Sequence, residues 1–217
     1  MAPLINIFIQ ARLSSERFPG KVLAPLHQQP LIKHVVNCAR SVREINQVVV
    51  LTSDNESDDP LVAYLEKIPC CYVRGDLENV FVRFQKALRD FPCDYFVRLS
   101  ADSPFINSDL IQFMISQLKN SRPDLISNVS VRTFPKGQSV EIAKTSTFLA
   151  IDQTALTAEE REHVFPYFYS NCKRFHCLSV KNEIDESQLN FCVDTVQDLK
   201  NLSASCVYHF KQPVYVE

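Results

Sequence analysis

Short apolar runs alternating with helix-patterned stretches constrain the fold of this chain more than any other feature. Leu4 to Ile9 (LINIFI), Gln47 to Thr52 (QVVVLT) and Tyr95 to Leu99 (YFVRL) are nearly continuous apolar segments. Such runs suit strands buried on both faces. Between them, Pro30 to about Arg43 sets Leu31, Val35, Cys38 and Ala39 at helical spacing, with a proline suited to the first turn. Asp58-Asp59-Pro60 opens a helix to about Ile68, its acids at the positive N-terminus. Cys71 to Val73 is a short strand, and Leu77 to Phe91 carries Val80, Phe81, Phe84, Ala87 and Leu88 in helical register. Ser108 to Leu118 is helical and Leu125 to Ser127 extended. The alternation predicts an α/β fold, a mainly parallel sheet covered on both faces.

Past about Arg132 the rhythm changes. Ser139 to Ala143 is extended, and Thr157-Ala158-Glu159-Glu160 is a capping box for a helix through Asn171. Phe175 to Val180 and Asn190 to Val193 are two further strands, and Thr195 to about Ser203 is a closing helix. No repeat, low-complexity tract or Gly/Ser linker divides the chain, so residues 1–217 are expected to form one domain.

Composition excludes several classes. A net charge of −2 gives no basic field for nucleic acid or an anionic membrane. No apolar run approaches the ~20 residues of a membrane span, and the N-terminus lacks a signal peptide's pattern; a cytoplasmic protein is expected. The eight cysteines are scattered without a C-x-x-C pair and mostly lie in apolar segments, as reduced thiols would. Glycine is scarce: Gly20, Gly75 and Gly137 all fall in predicted loops, where each can supply a positive φ or a close backbone approach.

Chemistry concentrates behind the first strand. Gln10 to Lys21 (QARLSSERFPGK) gathers Arg12, Arg17 and Lys21, two hydroxyls at Ser14 and Ser15, and a Pro19-Gly20 turn. In open α/β sheets, ligands collect at the carboxyl ends of strands, and clustered cations with backbone donors suit a polyphosphate. The segment is not a P-loop, since Val22 follows Lys21 where Ser or Thr is required. A solvated turn is the plainer alternative. Two aspartates sit at predicted strand ends, Asp102 and Asp194. A turn-forming Asx before Pro104 and a helix N-cap are their respective plainer readings.

The loop resembles the Q-A-R-x-x-S-x-R-[LF]-P-G-K segment of cytidylyltransferases that make CMP-activated sugars. That superfamily includes the CMP-Kdo synthetases, the acylneuraminate cytidylyltransferases and the SpsF-like spore-coat polysaccharide group. Four further segments are similar in order along the chain. Arg74-Gly75 with Asn79-Val80 resembles R-G-x-x-x-[DN]-V, and Arg98 to Pro104 resembles R-[IL]-[TS]-A-D-x-P. Arg161 to Tyr167 resembles R-E-H-V-x-P-Y, and Phe191 to Leu199 resembles [WF]-x-V-D-T-x-x-D-L.

The resemblance implies a three-layer α/β/α, Rossmann-like nucleotide-diphospho-sugar transferase fold. Residues to about 130 would form the nucleotide half, and residues from about 131 the sugar-side and dimerisation elements. It implies CTP-dependent transfer of CMP to an acidic sugar of the ulosonic or nonulosonic type, with release of pyrophosphate. Arg12, Lys21 and Asp102 would be catalytic, and Ala11, Arg12, Ser14, Ser15, Arg17, Lys21, Arg74 and Ala101 would bind the nucleotide. Glu141, Glu162 and His163 would face the sugar. Mg²⁺, with Mn²⁺ as a substitute, would sit on Asp102 and Asp194, with Asp54 and Asp198 as reserves. A homodimer would form through about Phe134 to Ala143. The chain departs from the pattern at Ser14 (usually glycine), Glu16 (Ser or Thr) and Ser139 (often an acid). Two other readings stay open. A glycosyltransferase of the related fold would want Asp-x-Asp where Ser100-Ala101-Asp102 stands, Asp54-Asn55-Glu56 being the nearest imitation. A catalytically silent nucleotide-binding domain is the other, motivated by Glu16 and Ser139.

Overall fold

The computed structural model describes residues 2–119 and 121–204, with the backbone of Tyr215–Val216. Ile5–Gln10 (β1) lies inside the sheet, between Gln47–Ser53 (β4) and Tyr95–Ser100 (β6), parallel to both. Its side chains Ile5, Ile7, Phe8 and Ile9 are buried on both faces, which is why the run carries no polar alternation. Cys71–Gly75 (β5) adds in parallel beyond β4. Leu125–Ser127 (β7), Glu141–Lys144 (β8) and Cys177–Lys181 (β9) extend the other side: β8 runs antiparallel to β6 and to β7, and β9 parallel to β7. Tyr215–Val216 (β10) pairs antiparallel with β9. The order is β10-β9-β7-β8-β6-β1-β4-β5, and a separate hairpin joins Pro25–Leu26 (β2) to Gln29–Pro30 (β3).

Helices cover both faces. Ile5, Ile7, Ile9, Val97 and Leu99 pack with Leu31–Ser41 (α1), Asp59–Leu65 (α2) and Ser108–Ser116 (α4). Phe8, Val49, Leu51 and Phe96 face Val80–Asp90 (α3), Thr145–Leu149 (α5) and Pro166–Ser170 (α7) across the other core, while Ala158–His163 (α6) lies against α3 without burying a residue of its own. That second layer is aromatic: the Phe8 and Phe96 rings stack at 5.5 Å, and Phe96 meets Phe148 edge-on at 5.1 Å. Full burial of such a side chain is worth roughly 1.5–3 kcal/mol. Among the described residues the cysteines are free thiols; Cys206 lies outside them.

The mixed, mainly parallel sheet matches the expected fold, with two local differences. The helix expected from Thr157 to Asn171 is two helices, α6 and α7. Its capping box is present, but Val164 takes φ 72° and Pro166 starts a new first turn. Asn190 to Val193 is not a sheet strand; it makes one bridge, Asn190 to Lys136. Its apolar members Phe191 and Val193 instead join a small cluster with Leu26, Leu31, Phe105 and Val196–Ser203 (α8) residues Leu199 and Leu202. Within the segment expected at a dimer interface, Phe134, Val140, Ile142 and Ala143 are buried in the chain's own core.

Candidate active site

Beyond Gln10 the chain folds back on itself, because the Leu13 carbonyl accepts from the N–H groups of Ser15 (2.9 Å) and Gly20 (2.8 Å). Gly20 takes φ 75°, a left-handed conformation open to glycine, and turns the chain into a short 3-10 helix at Lys21–Leu23. This reversal sends the Lys21 side chain inward, only 11 % exposed. Its ammonium bridges Asp102 Oδ2 at 2.7 Å and Asp194 Oδ1 at 2.9 Å. Arg17, on the exposed part of the loop, reaches the other Asp194 oxygen at 3.1 Å.

Each carboxylate is held by its own scaffold. Asp102 follows β6, and its Oδ1 accepts from the hydroxyls of Ser100 (2.7 Å) and Ser103 (3.3 Å). Its carbonyl takes the Val193 N–H at 2.8 Å, drawing in the segment that carries Asp194. Asp194 is not the N-cap of α8. Thr195 caps that helix in a capping box with Asp198, and Asp198 also accepts the Asp194 N–H at 3.1 Å. Asp198 is thereby a support of the site. Gly137 makes room for the same segment: a Cβ there would lie 2.5 Å from the Phe191 carbonyl carbon.

The electrostatics follow from this packing. Burial would lower the Lys21 pKa, but the Asp102 charge and the hydrogen bonds to both aspartates outweigh it and raise it above its ordinary value. Burial would raise Asp102; the Lys21 charge overrides it and holds the carboxyl below its usual range. Burial and the two neighbouring carboxylates push the Cys192 thiol up. One oxygen each of Asp102 and Asp194 and the Cys192 sulfur lie within 4.8 Å of one another. Two carboxylates already seating a cation form a donor set suited to a hard divalent ion, a class that includes Mg²⁺, Ca²⁺ and Mn²⁺.

The remaining candidates distribute around this centre. Arg12 ties the loop to α6 through Glu162 at 3.2 Å, while His163 is exposed at the end of α6. The Phe165 N–H bonds to the His163 carbonyl at 2.9 Å across Val164, a tight γ-type turn that sets the end of α6. Ala11 and Ala101 are buried, their N–H groups bonded to the carbonyls of Leu51 and Gln10 at 3.0 Å each. Ser14 and Glu16 are exposed and Ser15 is half-buried. Arg74 is not drawn to the loop; it bonds the carbonyls of Ser53 and Asn55 and pairs with Asp59 at 2.7 Å. Ser139 accepts from Arg132 at 3.4 Å.

Glu141 is 3 % exposed, and both its oxygens are engaged, one by Arg98 at 2.5 Å and the other by the Tyr169 hydroxyl. Of that pair Arg98 is the more exposed, flanked by Gln10 and lying over the Phe165 ring. In the sequence, Arg98 stands out as a charge inside the apolar run YFVRL, and Gln10 opens the cation-rich segment.

Comparison with known proteins identifies the family. The family model described as cytidylyltransferase matches residues 6–211. The chain belongs to the cytidylyltransferase family. This cytidylyltransferase is 29 % identical to the spore coat polysaccharide biosynthesis protein SpsF of Bacillus subtilis, over 92 % of this chain and 85 % of that one. It is 30 % identical to a 3-deoxy-manno-octulosonate cytidylyltransferase of Bdellovibrio bacteriovorus, over 62 % of this chain and 55 % of the relative. A cytidylyltransferase structure from Leptospira borgpetersenii superimposes with a TM-score of 0.87 at 28 % identity, covering 92 % of this chain and 84 % of that one. The protein is thus a nucleotidyltransferase on a Rossmann-like fold.

Proposed function

We propose that this cytidylyltransferase transfers CMP from CTP to an acidic sugar and releases pyrophosphate. The observation that carries the reading is the Lys21 ammonium seated between Asp102 and Asp194, at the end of a loop that also holds Arg12 and Arg17. The names of relatives that act on 3-deoxy-manno-octulosonate support a sugar acid as the acceptor class.

In the proposed reaction a sugar hydroxyl attacks the α-phosphorus of CTP. A new P–O bond forms, the bond to the β-phosphate oxygen breaks, and the hydroxyl proton leaves to solvent or a nearby base. Little covalent chemistry falls to the protein, so positioning and charge neutralisation dominate. Lys21 and Arg17 would offset charge on the phosphates, and Arg12 would do so from the Glu162 side of the loop. Asp102 and Asp194 would hold Mg²⁺, which when bound supplies further neutralisation of the triphosphate. Arg98, kept in place by Glu141 and Gln10, would offer its guanidinium toward the acceptor carboxylate, a pairing for which its planar fork is suited. His163, exposed beside Glu162, would contact the sugar at the rim.

Pyrophosphate release from each of the four nucleoside triphosphates, with a panel of sugar acids and with or without Mg²⁺, tests the reading. Release is expected only with CTP, a sugar acid and the metal together. Equal release from UTP or ATP, or none with any acceptor, would count against it. Nothing favours the glycosyltransferase alternative, because Asp54 is exposed, outside the Asp102–Asp194 pair.

A further inference from the structure

Asp58 is fully buried, although its sequence position suggested only an acid at a helix start. Its two oxygens serve different neighbours. Oδ2 accepts from the Thr52 hydroxyl (3.0 Å), the Ser53 N–H (3.0 Å) and the Ser53 hydroxyl (2.5 Å), all at the carboxyl end of β4. Oδ1 accepts one bond, the Leu13 backbone N–H at 2.6 Å, from the middle of the cation-rich loop 45 residues earlier. The Leu13 carbonyl is the group that folds the loop back by taking the Ser15 and Gly20 N–H groups. The peptide groups on either side of Leu13 therefore connect the Lys21 reversal to a buried charge bonded to the end of β4. Buried Arg83, held to the carbonyls of Asp76 and Leu77, supplies positive charge nearby.

Resting on the function proposed above, we propose that Asp58 is a positioning residue that latches the loop in its phosphate-binding shape through the Leu13 N–H. A carboxylate suits this task because it accepts at both oxygens. An asparagine accepts at one only. Three donors converge on Oδ2, so the amide oxygen of an Asp58→Asn side chain settles there and its NH₂ faces the Leu13 N–H. Donor then opposes donor and the latch opens, while the β4 end keeps its partners. The loop loses a charge-assisted bond, the stronger kind of hydrogen bond.

Two measurements on the full-length protein test this. In hydrogen–deuterium exchange, Asp58→Asn is expected to speed exchange across residues 11–20 while residues 47–53 stay protected. In calorimetry, the variant is expected to bind CTP roughly tenfold to a hundredfold more weakly, the range for one lost hydrogen bond to a charged group. CMP, which lacks the β- and γ-phosphates, should weaken by no more than about threefold, well under that range. Unchanged exchange in residues 11–20, or equal loss of CTP and CMP affinity, would overturn the latch. Should the variant fail to fold, the wild-type Leu13 amide decides by NMR: a slow, far-downfield proton is expected, and exchange at the rate of an unbonded loop amide overturns the proposal. If the wild-type protein binds no CTP, the functional reading falls, whereas the exchange data still decide the latch.

Discussion

Lys21 already occupies, between two carboxylates, the kind of position a metal cation takes. Removing it by Lys21→Ala leaves Asp102 and Asp194 without a shared counter-charge. Turnover with CTP is expected to fall by roughly one to two decades, the range for one charge-assisted contact. Mg²⁺ binding to the nucleotide-free protein should tighten, which calorimetry reads directly. Asp102→Asn and Asp194→Asn should do the reverse, abolishing the gain from Mg²⁺ in assays of pyrophosphate release. A normal Mg²⁺ response in either variant would place the metal elsewhere. The pH dependence has a definite sign. Asp102 is held below its ordinary 3.8, so its contribution to stability is present above that value and is lost as pH falls through the lower folded pKa. Lys21 is raised above 10.5, so its contribution is present below that value and is lost as pH rises through the higher folded pKa. The destabilisation of a Lys21→Met variant, from thermal melts, is therefore expected to be flat across neutral pH and to shrink in strong acid. Residue types alone located the centre of this site but not its pairings. Glu141 is read as facing the sugar, yet a neighbour 43 residues away, Arg98, takes its oxygen. Partners so distant along the chain are set by strand register, which a single sequence does not display.

Among the elements, the most regular ones were legible and the interrupted ones were not. α1 and α3 carry apolar side chains at helical spacing over three turns, so their pattern shows through. The α6–α7 break has a visible signal in Pro166, but Val164 has none, since a β-branched residue rarely takes positive φ. α5 and the β2–β3 hairpin are too short to carry a periodic pattern. The 190–193 segment alternates like a strand because burial against Phe105 and α8 demands the same pattern as sheet pairing. That segment stays close to Asp102 only if Gly137 admits it. Gly137 also takes φ 89°. Gly137→Ala is therefore expected to cost at least about 1–3 kcal/mol of backbone strain, before the clash is counted. Chemical denaturation would measure this. Activity per folded molecule should fall as well, because the displaced backbone carries Asp194; full activity in the folded fraction would show that the segment tolerates the shift.

For the molecule as a whole, the sheet works as a platform with its chemistry on one edge. β1, β4 and β6 run parallel, so their carboxyl ends deliver the cation-rich loop, Asp58's donors and Asp102 to the same side. The aromatic layer on one face is remote from that chemistry in role. Phe148→Ala, which empties a place among Phe81, Phe84, Phe96 and Phe165, is expected to cost about 3–5 kcal/mol in urea unfolding. CTP affinity of the folded fraction should be unchanged. The platform was readable because buried parallel strands need long apolar runs, and the edge was readable because charges following such runs have nowhere else to go. One consequence concerns synthesis. Lys21 and Asp102 come from the first half of the chain, whereas Asp194 arrives on a late segment tied back through Lys136, through the Val193–Asp102 bond and through packing against Leu26 and Phe105. A chain emerging from the ribosome can therefore pair β1, β4 and β6 with Lys21 facing Asp102 alone, and the second half of its ion-pair bridge closes only when Asp194 has cleared the exit tunnel.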